Sequence, residues 1–290
     1  MSSPEPAGRD PNPPALPPKP VLDLVRRWFA IDVFVLAAAG VQCFILATST
    51  DRWFAWTVSP PISAAVLGAG YFGSIVMVFE ARRARRWVDA RVVILSTLLF
   101  ASLTLAVTLL HIDKFHFDTG ANSARVAAFA WLVIYVVVPP FVLFLVVQQH
   151  RAPGVEPERD GTLLPLPARV LLLVEGGLLV ALGVVLFGGA ERAEFWPWKL
   201  TDLTARAISA WLIALGAMLA LCAWEREVAR TRYALHSVAA AALLWILAVS
   251  RFRSSVQWDF GAALTVAVPV LLIATVIAAL QRRTSAVTNL

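Results

Sequence analysis

A chain of 290 residues that is 59% hydrophobic and only 15% charged has a mean hydropathy of +0.73. Soluble domains are about half apolar and about a quarter charged, so a soluble globular fold is excluded and the chain belongs in a bilayer. Its formal charge of +6 and pI near 10.0 point to loops that meet anionic lipid headgroups rather than to nucleic acid, because no DNA- or RNA-binding motif accompanies the basic residues.

The first stretch, MSSPEPAGRDPNPPALPPKP, holds eight of the 18 prolines and almost no apolar bulk. Residues 1–27 are therefore expected to form an extended, mobile tail, and about 27 residues before the first apolar run do not suit a cleavable signal peptide. Eight continuous apolar runs follow, near 28–48, 61–80, 92–110, 126–147, 169–189, 203–223, 234–250 and 260–280. Each is long enough for one helical span, since a helix rises about 1.5 Å per residue and the hydrocarbon core is about 30 Å thick. Barrel strands would alternate over short segments, and these runs do not.

Cation placement predicts the orientation. With the N-terminus inside, 17 of the 25 Lys and Arg residues fall in inside segments, above all Arg82, Arg83, Arg85, Arg86 and Arg91. This is the positive-inside pattern of a multi-pass plasma-membrane protein with both termini cytoplasmic.

The chain also repeats itself. Trp56-Thr57-Val58-Ser59 matches Trp198-Lys199-Leu200-Thr201, and Asp32 with Gly40 matches Glu175 with Gly183 at equal spacing. Phe79-Glu80 pairs with Trp224-Glu225, Phe117-Asp118 with Trp258-Asp259, and Val138-Pro139 with Val268-Pro269. The predicted fold is thus an all-α integral membrane protein, eight transmembrane helices arranged as two parallel four-helix repeats. The repeats cover 28–150 and 169–283, with a cytoplasmic linker at 151–168 and a short tail at 284–290. An even number of spans per repeat implies an axis along the membrane normal.

The aromatic phrase then falls on the outer side, where Trp53, Trp56, Trp196 and Trp198 suit the headgroup level. Ser59 before Pro60 and Thr201 before Asp202 read as helix caps. Lys199 and Arg206, with those rings, form a candidate outer site for an anionic headgroup or solute. The loop WPWKLTDLTAR, set among Ala-, Val- and Arg-rich spans, resembles a group of multi-pass membrane proteins of high-GC actinobacteria that share a Trp-Pro-Trp-x-Leu-Thr signature. That resemblance implies membrane placement and carries no activity with it.

Chemistry-bearing residues are few. Asp32 and Glu175 are carboxylates one or two turns inside a span, a costly position that matches in both halves and suggests a proton or cation site. Paired arginines near the headgroups, Arg27 and Arg169, are the structural alternative. His111, Asp113, His116 and Asp118 offer imidazole and carboxylate in eight residues and are weak metal candidates, but the second half lacks the histidines, which favours a wet loop and no metal. His236 reads as a helix-to-helix hydrogen bonder, and His150 as a loop residue. Cys43 and Cys222 lie on opposite sides of the membrane, too far apart for a disulfide. Pro139, Pro140 and Pro269 should bend the fourth and eighth spans, while Gly68, Gly70 and Gly73 allow close helix contact.

No His-Glu-x-x-His, Gly-x-Ser-x-Gly or Cys-x-x-Cys motif is present, so no enzyme chemistry and no cofactor is expected. The reading of function is a non-catalytic membrane module that binds lipid, ligand or a partner. The alternative is a proton- or cation-coupled transporter or channel using Asp32 and Glu175. The expected partner is the lipid bilayer, not nucleic acid, and a protein partner or second copy is left open.

Overall fold

The computed structural model describes residues 17–281 apart from 119, 160 and 259. Among the described residues there is no strand, and eight helices have 18 or more residues. They are α1 (Asp23–Gly40), α2 (Pro61–Ala81), α3 (Trp87–Leu110), α4 (Asn122–Arg151), α5 (Leu166–Phe187), α6 (Asp202–Glu225), α7 (Val228–Arg251) and α8 (Phe260–Leu280). Helices α1 to α7 are long and apolar enough to cross a membrane, and the described part of α8 is a shorter apolar segment, Thr265–Leu280. This is the architecture of a polytopic membrane protein. Its outer surface agrees: Phe34, Val126, Leu166 and Leu178 are all more than three-fifths exposed, a pattern suited to lipid and adverse in water.

Helix starts follow local chemistry. Thr201 caps α6 by accepting the Thr204 N–H at 3.2 Å. The cap expected at Ser59 is not made: α2 begins at Pro61 behind Pro60, with no side-chain cap, since proline needs no N–H partner in the first turn. Past Gly40, α1 continues through a wider turn in which the Leu46 N–H reaches the Val41 carbonyl at 3.0 Å. There Gly68 of α2 faces the backbone of Phe44, so a Cβ at 68 would not fit. Pro139, Pro140 and Pro269 lie inside unbroken helices.

Packing follows the halves. α1 lies along α2 and α5 along α6, while α3 pairs with α4 and α7 with α8. The halves join where α2 packs on α7 and α3 on α6. At one end of the bundle, the arginine end, residues once expected to be loose are tied down. Residues 1–16 lie outside the described residues, but 17–22 are fixed by backbone bonds: Lys19 N–H to Val155 O at 2.9 Å, Val21 N–H to Arg85 O at 3.0 Å, and Trp87 N–H to Lys19 O at 2.9 Å. Buried Gln149 adds two more, accepting from Leu22 N–H at 2.9 Å and donating to Pro20 O at 2.8 Å. In the second half, Leu164 N–H bonds Arg226 O at 2.7 Å and Val228 N–H bonds Thr162 O at 2.9 Å.

Arg91 and Arg230, which lie outside the predicted apolar runs, fall inside α3 and α7. Their partners explain this. Glu225 of α6 is fully buried and takes Arg91 at 2.6 Å and Arg230 at 3.7 Å, and Arg230 also bonds Glu227 at 2.5 Å. Neutralised in this way, cationic helix turns become compatible with a bundle interior. The corresponding glutamate of the first half, Glu80 of α2, meets His236 of α7 at 2.9 Å, the helix-to-helix bond expected of that histidine. His150 lies in the last turn of α4 rather than in a loop.

Candidate functional site

A cavity of about 510 Å³ lies between the halves, lined from all eight long helices. Its walls are aromatic. The Phe100 and Trp211 rings stand 4.0 Å apart, Tyr71 meets Trp211 edge-on at 5.0 Å, and Trp131 tilts against Tyr135 at 4.5 Å. The Tyr71 and Tyr135 hydroxyls hydrogen bond to each other at 3.0 Å, and the Trp131 indole N–H donates to Thr108 Oγ1 at 3.0 Å. Such pairing matters because a buried hydroxyl or indole N–H without a partner costs about 1–3 kcal/mol. Two lining tryptophans, Trp196 and Trp245, do keep buried indole N–H groups with no partner.

Asp32 lines this cavity and is only 6% exposed. Glu175 is equally buried but does not line it; its Oε1 accepts the Thr275 hydroxyl of α8 at 2.7 Å. The two matched carboxylates therefore have different surroundings. That bond closes α5 onto α8. In the first half, the α1 residues Phe34 and Ala38 and the α4 residue Ala130 line the cavity and are also exposed on the outer surface. The cavity thus reaches the surface sideways between α1 and α4, and also at Phe195 in the loop before α6, which lines it and is exposed. Nearer the arginine end the same two helices are bridged by Trp28 and Phe141, with rings 5.4 Å apart and edge-on.

The outer-site residues separate. Trp56, Trp196 and Trp198 are buried, and their rings face protein instead of forming a belt toward lipid; Trp53 alone of the four is exposed. Trp56 packs on Phe54, Phe115 and Trp131, and Trp198 donates to Ser63 Oγ at 2.8 Å. Trp198 thereby fastens the second half's loop to the first half's α2. Lys199 is exposed, whereas Arg206 is engaged, donating to Phe187 O at 3.0 Å and to His111 Nε2 at 2.7 Å. A guanidinium already holding a carbonyl and an imidazole is poorly placed to take an anion.

The metal candidates are likewise engaged one by one. Burial, and then the Arg206 guanidinium, hold His111 below the usual histidine range, which suits a neutral ring accepting from arginine. His116 bonds Thr57 Oγ1 at 3.0 Å and Phe54 O at 3.1 Å. Asp113 pairs with Lys114 at 2.9 Å and Asp118 is exposed. Among the described residues no three His, Cys, Asp or Glu side chains form a metal-holding group. Cys43 and Cys222 are buried free thiols.

Sequence reasoning missed the cavity aromatics. One signal was available: of only three tyrosines in the chain, Tyr71 and Tyr135 both fall near the middle of apolar spans, where a hydroxyl needs a partner. Comparison with protein-family models, with curated proteins and with solved structures finds no match to this chain.

Proposed function

We propose that this is a non-catalytic ligand-binding membrane protein, built as two parallel four-helix repeats, that takes a small lipid-soluble molecule into the cavity between them. The observation that carries this reading is the cavity itself: about 510 Å³ is within the range that holds a small ligand, and its walls are mostly apolar with few polar groups, as such sites are. The opening between α1 and α4 favours entry from the bilayer. Two lines support the repeat. Each half ties the segment before its first helix to the start of its third by matching backbone bonds, at Val21 and Trp87 and again at Leu164 and Val228. Each half also has, at the end of its second helix, a glutamate that meets a basic side chain of the other half, Glu80 with His236 and Glu225 with Arg91.

The test is photolabelling. A diazirine-bearing fatty alcohol, added to the protein in phosphatidylcholine nanodiscs, should label cavity residues on α2, α3 and α6 as well as lipid-facing ones. Ala242→Phe, which fills cavity space on α7, should suppress the interior labels and spare the outer ones. Labels restricted to the lipid-facing surface would end the proposal.

The transport alternative rests on one feature, the buried carboxylate of Asp32 in the cavity wall. A shared site with Glu175 is less favoured by the surroundings of Glu175, which sits outside the lining and bonds to Thr275.

For orientation we infer cytoplasmic termini in the plasma membrane, on the cation bias of the loops. Single cysteines introduced at Arg83 and at Glu191 should respond oppositely to an impermeant maleimide added to whole cells: 191 labelled, 83 protected. The reverse pattern would invert the protein.

A further inference from the structure

Five carboxylates are buried among the described residues: Asp32, Asp89, Glu175, Glu225 and Glu227. Asp89 bonds Arg86, Glu175 bonds Thr275, Glu225 bonds Arg91, and Glu227 bonds Arg230. Asp32 alone has no hydrogen-bond or ion-pair partner. It also lines the cavity, and no Lys, Arg or His lines it. An ionised carboxylate in so apolar a setting is costly unless it takes up a proton or a positive group joins it. None of the described residues that line the cavity supplies such a group.

We propose that the Asp32 carboxylate is the recognition point for the protonated amine of a small amphiphile that enters the cavity from the lipid between α1 and α4. This rests on the ligand-binding reading and names the ligand class for the same cavity. Two residues of the opening, Phe34 and Ala38, are on the same helix as Asp32 and the third, Ala130, is on α4 across from it, so an amine drawn in from the bilayer passes close to the carboxylate. The neighbouring wall suits a cation: Tyr135 is close enough to Asp32 to interact electrostatically, and the faces of Tyr135 and Trp131 attract positive charge. An ammonium donates hydrogen bonds to a carboxylate, and such charge-assisted bonds are the strong ones. The chain or ring system of the amphiphile then lies against Phe100 and Trp211. The second half offers no equivalent in this cavity, because Glu175 does not line it; its Oε1 takes the Thr275 hydroxyl, which ties α5 to α8, and its Oε2 is buried without a partner among the described residues.

The experiment uses the full-length protein in phosphatidylcholine nanodiscs, with the diazirine fatty alcohol as reporter. Dodecylamine and dodecanol compete against it, and a parallel set of nanodiscs contains phosphatidylethanolamine, whose amine is carried on a lipid headgroup. In the wild type, dodecylamine should displace the interior label at a concentration at least about tenfold below that of dodecanol, the scale of a charge-assisted bond. In Asp32→Asn the two competitors should become equal, with dodecanol unchanged, and comparing variant with wild type cancels bilayer partitioning. Asp32→Glu, which retains the charge, should keep the preference and serves if the Asn variant does not fold. Displacement by phosphatidylethanolamine would identify a lipid headgroup as the source of the amine; its absence would leave the free amphiphile. Equal potency of amine and alcohol in the wild type, or a preference that survives Asp32→Asn, overturns the assignment. Should the reporter never label the interior, the ligand-binding reading itself falls, an outcome distinct from labelling without amine preference.

Discussion

Glu225→Gln should cost the protein about 3–5 kcal/mol, the usual penalty for breaking a buried ion pair by removing one partner. Glu225 is fully buried, and its Oε1 accepts from both Arg91 Nε at 2.7 Å and Arg91 Nη2 at 2.6 Å. Glutamine keeps the shape and removes the charge. Arg91 then retains only Glu156, which is 44% exposed, and Arg230 retains Glu227. Unfolding in mixed micelles measures the loss. Adding Arg91→Met should recover part of it, because removing both members of a buried pair leaves no uncompensated charge inside. A Gln variant as stable as the parent, or a double variant whose losses simply add, would show that the α3–α6 junction does not depend on this pair.

Two adjacent glycines on α5 should give opposite results. A Cβ at Gly176 would sit 2.7 Å from the Gly216 carbonyl of α6, and one at Gly216 would press on Gly176 and Val180 in return. The two helix backbones touch there, and no rotamer can relieve a clash with main-chain atoms. Gly176→Leu must therefore push α5 off α6 and forfeit the most extensive helix pairing in the second half. We expect a loss above about 4 kcal/mol, in the range reserved for severe core disruption, and no folded protein by size-exclusion in detergent. Gly177→Leu places its side chain where nothing lies within 4 Å, and should accumulate like the parent. Equal behaviour of the two variants would contradict the close approach.

The helices were legible because apolar runs report the solvent directly: all eight long helices fall on the predicted runs. Their ends on the arginine side were not. α3 begins at Trp87 and α7 at Val228, five or six residues before the runs at 92 and 234, because Arg91 is neutralised by Glu225, far away in sequence, and Arg230 by Glu227 and Glu225 just before it. Hydropathy registers the charge and cannot register the partner. The same limit hid the cavity. Tyr71, Phe100, Tyr135 and Trp211 come from four helices with no common period, and only packing assembles them. Asp32 and Glu175 stand out in the sequence as acids inside apolar spans, but the difference in their surroundings involves Thr275, and nothing in the sequence around Glu175 announces a hydroxyl a hundred residues later. The outer Trp cluster misled for a related reason: an aromatic phrase between spans reads alike whether its rings face lipid or fold inward, as Trp198 does onto Ser63.

The straps at the arginine end bear on how the chain is made. Each joins residues of one half only, residues 19–21 to 85–87 and 162–164 to 226–228, so the first half can lock its own strap while the second is still on the ribosome. The charges obey the opposite rule. Until α6 and α7 arrive, Arg91 has only the half-exposed Glu156 and Glu80 lacks His236, so two contacts of the finished bundle are still unmade. An incomplete product is therefore strapped at its own end yet lacks the polar contacts, Arg91 with Glu225 and Glu80 with His236, that join the two halves of the finished bundle.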